Sequence, residues 1–490
     1  MDRRTFLRQM SALGGACALG PGSALQSLAS PAEPNWLLGW TSITDRELPP
    51  LQMQVEGDLT AELNGILLRN GPARFDRGDL RYDHWFDGDG MIQQFTIDDG
   101  RISHRGRFIE TEKYLLEEEA GRFLFDGAGT VFADAQPGRN NDTQNVANTA
   151  LQIWGDEVLA LWEGGSAYRV DPVTLESRGI QTWREDMKHM PFSAHPLVDR
   201  DGTMWNFGFA PYSGGSGLIV VYHIDPVSGV KNVNAIRLPF AGYLHDFAIT
   251  EHYLAFVIPP YHSKAEHGET FVDRFRWEPE LGSRLLLVDK NDLSSQQWFE
   301  LPEGFVFHFG HASEVGREVR VQLSWHKDPG IMATGMRQLM RTGLETPVNQ
   351  ARAATIFADL DTGNARLDVS ETVFEFPGFD ENSADPNRVM QGVGETMDAQ
   401  GRWRESLVMW SPDKGETGRY LFPCGTFGEE PLRVAGTGND WIVQTCLDCV
   451  RGETELNVFN ADNISAGPVA RATMPRAVPL GFHGTFMPKA

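Results

Sequence analysis

Four histidines lie in apolar, strand-like stretches that are far apart along the chain. They are His195 in PFSAHPLVD, His245 in GYLHDFAIT, His308 in FVFHFGHASE and His483 in PLGFHGTFM. Imidazole is the commonest protein ligand for zinc, copper, nickel and non-haem iron, so four imidazoles together would bind a metal without any carboxylate or thiolate. No short spacing links the four, so only the fold can bring them together. Taken singly, each could equally be a hydrogen-bonded core residue.

A sequence motif that recurs seven times predicts the β-strands that would position these histidines. Each copy is an alternating apolar run, an aspartate, a turn and a second run, and the aspartates are Asp98, Asp171, Asp225, Asp289, Asp361, Asp413 and Asp462. Such spacings match one four-stranded propeller blade with its loops. A β-sandwich or a pair of barrels would also contain many hairpins, but explains the recurrence less easily. We therefore predict an all-β fold, a seven-bladed β-propeller whose inner strands converge on one axis.

The charge and composition of the chain indicate which classes of binding partner to expect. The chain has 490 residues, a formal net charge of -24, 51 glycines and 28 prolines. An acidic surface repels phosphate backbones, so we expect no nucleic-acid partner. No internal apolar run is long enough to span a bilayer. No linker divides the chain after residue 50, so we expect an N-terminal extension at 30–55 and a single domain at 56–490.

The first 29 residues have the order of regions of a twin-arginine export signal. Arg3 and Arg4 begin the pattern, an apolar stretch rich in glycine and alanine follows, and Ser27-Leu28-Ala29 offers small residues for cleavage. A disordered basic tail is the alternative. The signal predicts that the folded protein is exported to the periplasm.

Two cysteines stand in a Cys-x-x-Cys spacing, Cys446 and Cys449, within a stretch that alternates like a strand. A regular strand would direct the two side chains to opposite faces. We therefore expect a structural role rather than metal binding, with a disulfide as the less favoured alternative.

One segment has helical rather than strand periodicity. In IMATGMRQLMRTGLE, the side chains of Met332, Met336, Leu339, Met340 and Leu344 can share one helical face. We expect this helix to cap the propeller core. The alternatives are that the 331–344 segment lines a substrate entrance or makes a peripheral contact with a membrane.

Seven phrases occur in the order of a known family. They are ELNGILLRNGPARF, HWFDGDGMIQQFTI, NTALQIWGDEVLALWEGG, FSAHP, LHDFAITEHYLAF, FHFGHASE and GFHGTFM, and they run from about residue 56 to residue 487. The set resembles the carotenoid cleavage oxygenase family, which includes apocarotenoid oxygenases, lignostilbene dioxygenases and the retinoid isomerohydrolase. The resemblance implies a seven-bladed propeller that holds one Fe(2+) per chain on its axis.

The resemblance also implies which residues bind the iron. His195, His245, His308 and His483 match the ligands. His311 occupies a position where the family usually has Asn, and it would face the other side of a regular strand from His308, so we keep it only as a fallback ligand.

Members of the family use three glutamates to accept hydrogen bonds from the iron-bound imidazoles, and two of them match here. They are Glu163 in LALWEGG and Glu375 in FEFPGF. We expect the third within 436–441, where the chain has no glutamate, so Asp440 or a water would have to replace it. Thr149 matches a position beside the open iron site that shapes oxygen access.

The four-residue phrase Asp87–Gly90, DGDG, is predicted to be a tight turn, since glycine supplies the positive φ that such turns require.

The resemblance implies an oxidoreductase, a dioxygenase that uses Fe(II) and O2 to cleave one C=C bond of a carotenoid or apocarotenoid into two carbonyl products. An apolar tunnel would select the substrate. A stilbene-cleaving dioxygenase is the first alternative, although the sequence does not place polar partners for a phenol. A non-catalytic polyene-binding propeller is the second alternative, and it is motivated by the absence of the third glutamate from 436–441. A zinc hydrolase is least favoured, since four histidines leave no position for a zinc-bound water in a tetrahedral site.

Overall fold

The computed structural model describes residues 33–489, except 61, 214–215, 265–269, 344–349, 382 and 384. The expected export signal at 1–29 lies outside the described residues. Within them, no helix is both long and apolar enough to cross a membrane.

Seven antiparallel sheets form a seven-bladed β-propeller, which confirms the predicted fold class. We number the blades in chain order from the sheet that contains Gly65–Arg74. Blades 2 to 6 have four strands each, in chain order. Blade 2 consists of Ala150–Trp154, Glu157–Leu161, Tyr168–Val170 and Ser177–Ile180; blade 3 of Leu197–Val198, Met204–Ala210, Leu218–Asp225 and Gly229–Arg237; blade 4 of Ala248–Ile249, Tyr253–Ile258, Ser283–Asp289 and Gln296–Leu301; blade 5 of Phe305–Val315, Glu318–His326, Arg352–Asp359 and Asn364–Val373; and blade 6 of Glu375–Phe379, Met390–Met397, Trp403–Ser411 and Gly415–Leu421.

Blades 1 and 7 close the ring by combining strands from both ends of the chain. Blade 1 has the order Gly484–Pro488, Gly65–Arg74, Asp89–Asp98, Arg101–Phe108 and Glu47–Gln52. Blade 7 contains Thr426–Gly428 and Leu432–Val434, which both pair with Trp441–Asp448, followed by Glu453–Asn460, Ala470–Met474 and Gln54–Gly57. The propeller therefore includes strands from the stretch that we expected to be an N-terminal extension.

The first strands of neighbouring blades contact one another, so they line the propeller axis. Gly484–Pro488 of blade 1 contacts Ala150–Trp154 of blade 2, and Phe305–Val315 of blade 5 contacts the first strands of blades 4 and 6. Residues that are distant in sequence become neighbours at this axis. Two further two-stranded ribbons, Asp76–Arg77 with Leu80–Arg81 and Tyr261–Ser263 with Phe275–Trp277, lie outside the blades.

The recurring aspartates each mark one blade, in the hairpin between its third and fourth strands counted from the axis. The Asp171 carboxylate accepts the backbone N–H groups of Val173 and Thr174, an arrangement that favours a turn over a continued strand. In blade 5 this role belongs to Asp359, while Asp361 pairs with Arg317. The count of seven repeats was therefore right, but in blade 5, and in blade 7 where Asn460 accepts the N–H of Asp462, the acceptor stands two residues before the assigned aspartate.

Middle strands of the blades are covered on both faces, so their apolar runs are continuous. Leu285, Leu286, Leu287 and Val288 in blade 4 are all fully buried. They join clusters that reach into the neighbouring blades on either side. Burial of such runs is the dominant favourable contribution to folding, because apolar surface is removed from water.

Helices are short and lie in the connections between strands. The α-helices are Glu112–Ala120 and Met336–Thr342, the second preceded by a π-turn at Ile331–Gly335; the 3-10 turns are Trp36–Trp40, Trp85–Asp87, Asn141–Gln144, Glu185–Met187, Val272–Arg274, Pro279–Leu281 and Ile464–Ala466.

The segment with helical periodicity covers the propeller core with its methionine face. Met332, Met336 and Met340 are buried. The fully exposed side chains of the described part, 331–343, are those of Thr334, Arg341 and Thr342. The methionine face therefore points into the protein, where Met336 and Leu339 also line a cavity, and Leu344 lies outside the described residues.

Helix Glu112–Ala120 delivers two charged side chains into a buried ionic cluster. Lys113 Nζ lies 2.8 Å from Asp89 Oδ1 and 3.0 Å from Glu117 Oε2, and Arg77 Nη2 lies 2.7 Å from Asp89 Oδ2. Two positive and two negative groups thus neutralise one another away from water. Thr111 begins the helix by accepting the N–H of Tyr114 at 3.1 Å.

The DGDG phrase is not the tight turn that we predicted. Gly88 has φ -66°, and Gly90 does not have a positive φ either. Gly90 instead lies where backbones approach closely, since an added Cβ would come within 2.5 Å of the Ala147 carbonyl oxygen. The Asp87 carboxylate accepts the N–H of Gly129 at 2.9 Å. The DGDG segment thus holds the loop that contains Gly129 against blade 1.

Cys446 lies in the strand Trp441–Asp448 and Cys449 follows it; both are buried, and neither forms a disulfide.

Candidate metal centre

The propeller brings the four predicted histidines to one point on its axis. His308 lies in the first strand of blade 5, and the other three stand one to three residues before a first strand: His483 in blade 1, His195 in blade 3 and His245 in blade 4. One ring nitrogen from each lies within 4.8 Å of the others. Among the described residues, this is the only such group of three or more metal-ligating side chains.

The arrangement fits a single cation. The Nε2 atoms of His195 and His245 are 2.9 Å apart, and Nε2 of His308 is buried without any hydrogen-bond partner among the described residues. An unpartnered buried nitrogen costs free energy unless it finds a partner. Nitrogen lone pairs that face one another in this way are what a metal ion would satisfy.

Three carboxylates fix the orientation of three of these imidazoles. Nδ1 of His308 donates to Glu375 at 2.6 Å, Nδ1 of His483 donates to Glu430 at 2.9 Å, and Nδ1 of His245 donates to Glu163. When Nδ1 carries the proton, Nε2 keeps its lone pair and the carboxylate makes it a stronger ligand. Glu163, Glu375 and Glu430 come from blades 2, 6 and 7, so each of the seven blades contributes one residue.

His195 is the exception among the four. Its Nδ1 lies 3.9 Å from Asp246 Oδ1, which is too long for a direct hydrogen bond. Burial and the neighbouring imidazoles lower the pKa of His195 well below its usual value. Burial likewise lowers the pKa of His483 to about 4. Both rings are therefore neutral at physiological pH, the state in which imidazole binds metals.

The third glutamate is present, and our expectation that it was absent was wrong. Glu430 follows the short first strand Thr426–Gly428 of blade 7, whereas we expected it beside the second strand, at 436–441. Asp440, the expected substitute, pairs with Arg433 instead. The pair Glu429-Glu430 before a proline was a visible signal, but the sequence did not indicate which strand of blade 7 lines the axis.

Replacing Glu430 with glutamine should weaken metal binding about 10–100-fold, because His483 loses the anionic acceptor that orients it. Chelator competition on the purified protein measures the change. Asp440→Asn is the matched control and should leave the affinity unchanged. Equal affinities of the two variants would contradict the role of Glu430.

Each carboxylate is also held by a further group. Glu375 Oε1 accepts from His326 Nε2 at 2.8 Å, Glu430 Oε2 accepts from Arg69 at 3.0 Å, and Glu163 accepts from the Tyr243 hydroxyl at 3.1 Å. The carboxylates therefore cannot swing away from the imidazoles without breaking these bonds.

His311 and Thr149 occupy different surroundings. The His311 ring packs on Phe379, with centroids 5.3 Å apart, and is not part of the four-histidine group. The Thr149 carbonyl accepts the N–H of His483 at 3.2 Å, and its side chain lies at the cavity beside the histidines.

An apolar cavity of about 250 Å³ opens directly onto three of the histidines, His245, His308 and His483. Its walls are mainly aromatic and aliphatic and include Trp85, Phe86, Phe307, Met336, Phe376 and Phe482. Cavities of this kind bind apolar small molecules, and their few polar groups orient the ligand. Sequence reasoning anticipated an apolar tunnel but named none of these side chains except Met336.

Comparison with known proteins agrees with this geometry. A family model described as retinal pigment epithelial membrane protein matches residues 41–488. Apocarotenoid-15,15'-oxygenase of Synechocystis sp. is 28% identical over 95% of this chain and 99% of its own length, and isoeugenol monooxygenase of Pseudomonas nitroreducens is 24% identical over 92% and 98%. A structure of cobalt-substituted Synechocystis apocarotenoid oxygenase shares the fold, with a TM-score of 0.81 at 24% identity over 93% of this chain and 98% of that one. Since the family match spans nearly the whole propeller, the chain belongs to the carotenoid cleavage oxygenase family and is an oxygenase.

Proposed function

We propose that the protein binds Fe(II) through His195, His245, His308 and His483 and uses O2 to cleave one C=C bond of a carotenoid or apocarotenoid. One oxygen atom would enter each of two carbonyl products, so that the atoms of the alkene and of O2 balance. The observation that carries the proposal is the group of four imidazoles beside an apolar cavity that opens onto three of them.

Chemistry of the donor set favours iron over zinc. Four neutral ligands leave a divalent cation its full charge, and imidazole suits iron, copper, nickel and zinc alike. A catalytic zinc usually has three protein ligands and an open fourth position, which four histidines would fill. Ferrous iron would supply the activation of O2.

The residues of the chain have three tasks in this proposal. Glu163, Glu375 and Glu430 keep three imidazoles in the tautomer that leaves Nε2 free. The cavity excludes water and presents the alkene to the histidines. Thr149, which is 8% exposed and lies at the cavity, would restrict the path of oxygen.

A stilbene-type or phenylpropenyl substrate is the second candidate. The relative named isoeugenol monooxygenase favours it. The non-catalytic polyene-binding alternative was based on the absence of a third glutamate. Glu430 fills that position, so the reason for this alternative is removed.

The test begins with iron content and continues with turnover. The purified protein, loaded anaerobically with Fe(II), should hold one iron per chain and convert apocarotenals or stilbenes only when O2 is admitted. With ¹⁸O2, each carbonyl product should carry one label. A protein that holds no iron after loading, or forms the same products without O2, would overturn the proposal.

We also propose export by the twin-arginine pathway, on the strength of Arg3 and Arg4. Cell fractionation of the wild type and of the Arg3→Lys/Arg4→Lys variant tests it, and periplasmic accumulation of both would exclude that route.

A further inference from the structure

The cavity contains a second polar group besides the histidines. Gln350, Glu395, Trp403 and Glu405 contribute to its wall, and we call them the polar end. Glu395 and Glu405 are paired directly opposite each other on neighbouring strands of blade 6. Side chains in that relation lie on the same face of the sheet, with Cβ atoms about 5 Å apart.

The polar end lies close to the proposed metal centre. Val393, two residues before Glu395, pairs with Glu375, the carboxylate that holds His308. Two residues of a strand span about 7 Å, and residues i and i+2 share a face. Glu395 therefore lies on the same face of the sheet as Val393, one step further along the strand from the residue that pairs with Glu375.

Two facing carboxyl groups in an apolar cavity are unfavourable when both are ionised, because like charges opposed across strands repel and lose their hydration. Burial raises the pKa of Glu405 well above its usual range, and the charges of Glu395 and Glu429 raise it further. Burial also raises the pKa of Glu395. The protonated form of Glu405 is thus favoured, and that form has an O–H to donate and lone pairs to accept.

Hydrogen-bonding capacity at this end is only partly used. Glu395 accepts from the indole N–H of Trp403 and from Gln350. Within the described part of the chain, the only hydrogen bond of the Glu405 carboxyl group is one that it accepts from the Gly428 N–H. The carboxyl group of Glu405 therefore has capacity left for a ligand.

A second buried group in the same wall has unused hydrogen-bonding capacity. Trp40 is 1% exposed and lines the cavity, and its indole N–H donates to no atom of the described residues. Its ring contacts Phe427, which in turn contacts Trp403 of the polar end, with ring centroids 5.7 Å and 5.4 Å apart. A buried donor without an acceptor is unfavourable, so this indole N–H can donate a hydrogen bond to a ligand in the cavity.

One functional group of a ligand can both donate a hydrogen bond to the carboxyl groups and accept one from the buried donors. A hydroxyl group donates one hydrogen bond and accepts others, whereas a hydrocarbon terminus does neither and would leave these groups unpaired. We propose that Glu405, with the rest of the polar end, binds a hydroxyl group at one terminus of the substrate, so that the preferred substrate is a hydroxylated conjugated alkene. The inference rests on the proposed function and adds the specificity of its cavity.

Anaerobic binding to the iron-loaded protein tests the inference without turnover. Two pairs of probes are titrated against the fluorescence of the cavity tryptophans: 4-hydroxystilbene with stilbene, and a ring-hydroxylated apocarotenal with the apocarotenal. The hydroxylated member of at least one pair should bind about 10-fold more tightly, as expected for one buried hydrogen bond. A preference in the stilbene pair would indicate a phenol as the ligand group, and a preference in the apocarotenal pair would indicate an isoprenoid alcohol.

Variants assign the preference to this site. Glu405→Leu should abolish it, Glu405→Gln should retain part of it, and Glu371→Gln, whose side chain is 95% exposed, should not change it. Equal binding within both pairs by the wild-type protein, or a preference that survives in Glu405→Leu, would overturn the inference.

Admission of O2 separates the two proposals. If the hydroxylated probe binds selectively but is never cleaved, the oxygenase proposal fails and the inference stands. If both members of a pair bind equally and are cleaved equally fast, the inference fails and the proposed function stands.

Discussion

His308→Ala is expected to remove the metal from the protein and to abolish O2-dependent cleavage. The imidazole of His308 comes from the first strand of blade 5, which contacts the first strands of both neighbouring blades, and its Nε2 has no other partner among the described residues. The loss of metal affinity should exceed the roughly 10–100-fold that follows removal of an outer hydrogen-bond partner. Elemental analysis and chelator competition measure it.

His311→Ala is the matched control, since it removes the same side chain three residues further along the same strand. The His311 ring packs on Phe379 rather than on the other histidines, so this variant should keep the iron and the activity. If His308→Ala retains stoichiometric iron, or if both variants lose it equally, the assignment of the ligands is wrong.

Lys113→Met is expected to lower the free energy of unfolding by about 3–5 kcal/mol, because it leaves a buried carboxylate without one of its cations. Lys113 contacts both Asp89 and Glu117 in surroundings that exclude water. After the substitution, Arg77 alone would face two carboxylates. Urea unfolding followed by tryptophan fluorescence measures the loss.

Arg122→Met provides the comparison for Lys113→Met. Arg122 pairs with Asp134 at the surface, where 45% and 65% of the two side chains are exposed. Such pairs contribute about 0–1 kcal/mol, so this variant should unfold close to the wild type. Equal destabilisation by both substitutions would contradict a special contribution of the buried cluster.

The cluster also has an expected pH dependence. Burial acts to raise the pKa of Asp89, but Lys113 and Arg77 outweigh it and hold that pKa below its usual value. A carboxylate with a lowered pKa in the folded state stabilises the protein above its unfolded-state pKa, and this contribution is lost as the pH falls through the lowered value. The difference between wild type and Lys113→Met should therefore be full at neutral pH.

Much of the architecture could be predicted because local patterns carry it. A hairpin such as the one at Asp171 is formed by contacts within four residues, so the aspartate and its turn are visible in the sequence. Counting such hairpins gave the number of blades. The exact aspartate in blade 5 was missed, since Asp359 and Asp361 stand in the same short phrase and only their contacts distinguish them.

Errors occurred where a contact joins distant parts of the chain. Glu430 accepts from His483 across 53 residues, and nothing within either stretch indicates the other. The DGDG phrase has the composition of a turn, yet Gly90 is required by the approach of the Ala147 backbone. Glu395 and Glu405 were not singled out at all, because their role depends on a cavity wall built from several blades.

The sequence by itself determined the residue types and the repeating unit: four imidazoles, seven hairpins and an apolar interior. These follow from side-chain chemistry and from periodicity, which are local properties. Only the tertiary structure decided how seven residues, one from each blade, meet at the axis, that Glu430 is the seventh of them, and which carboxyl groups face the cavity. The physical reason is that inner strands of a propeller converge regardless of their separation in sequence, so the partners of His308 or Glu405 are set by ring closure rather than by neighbouring residues.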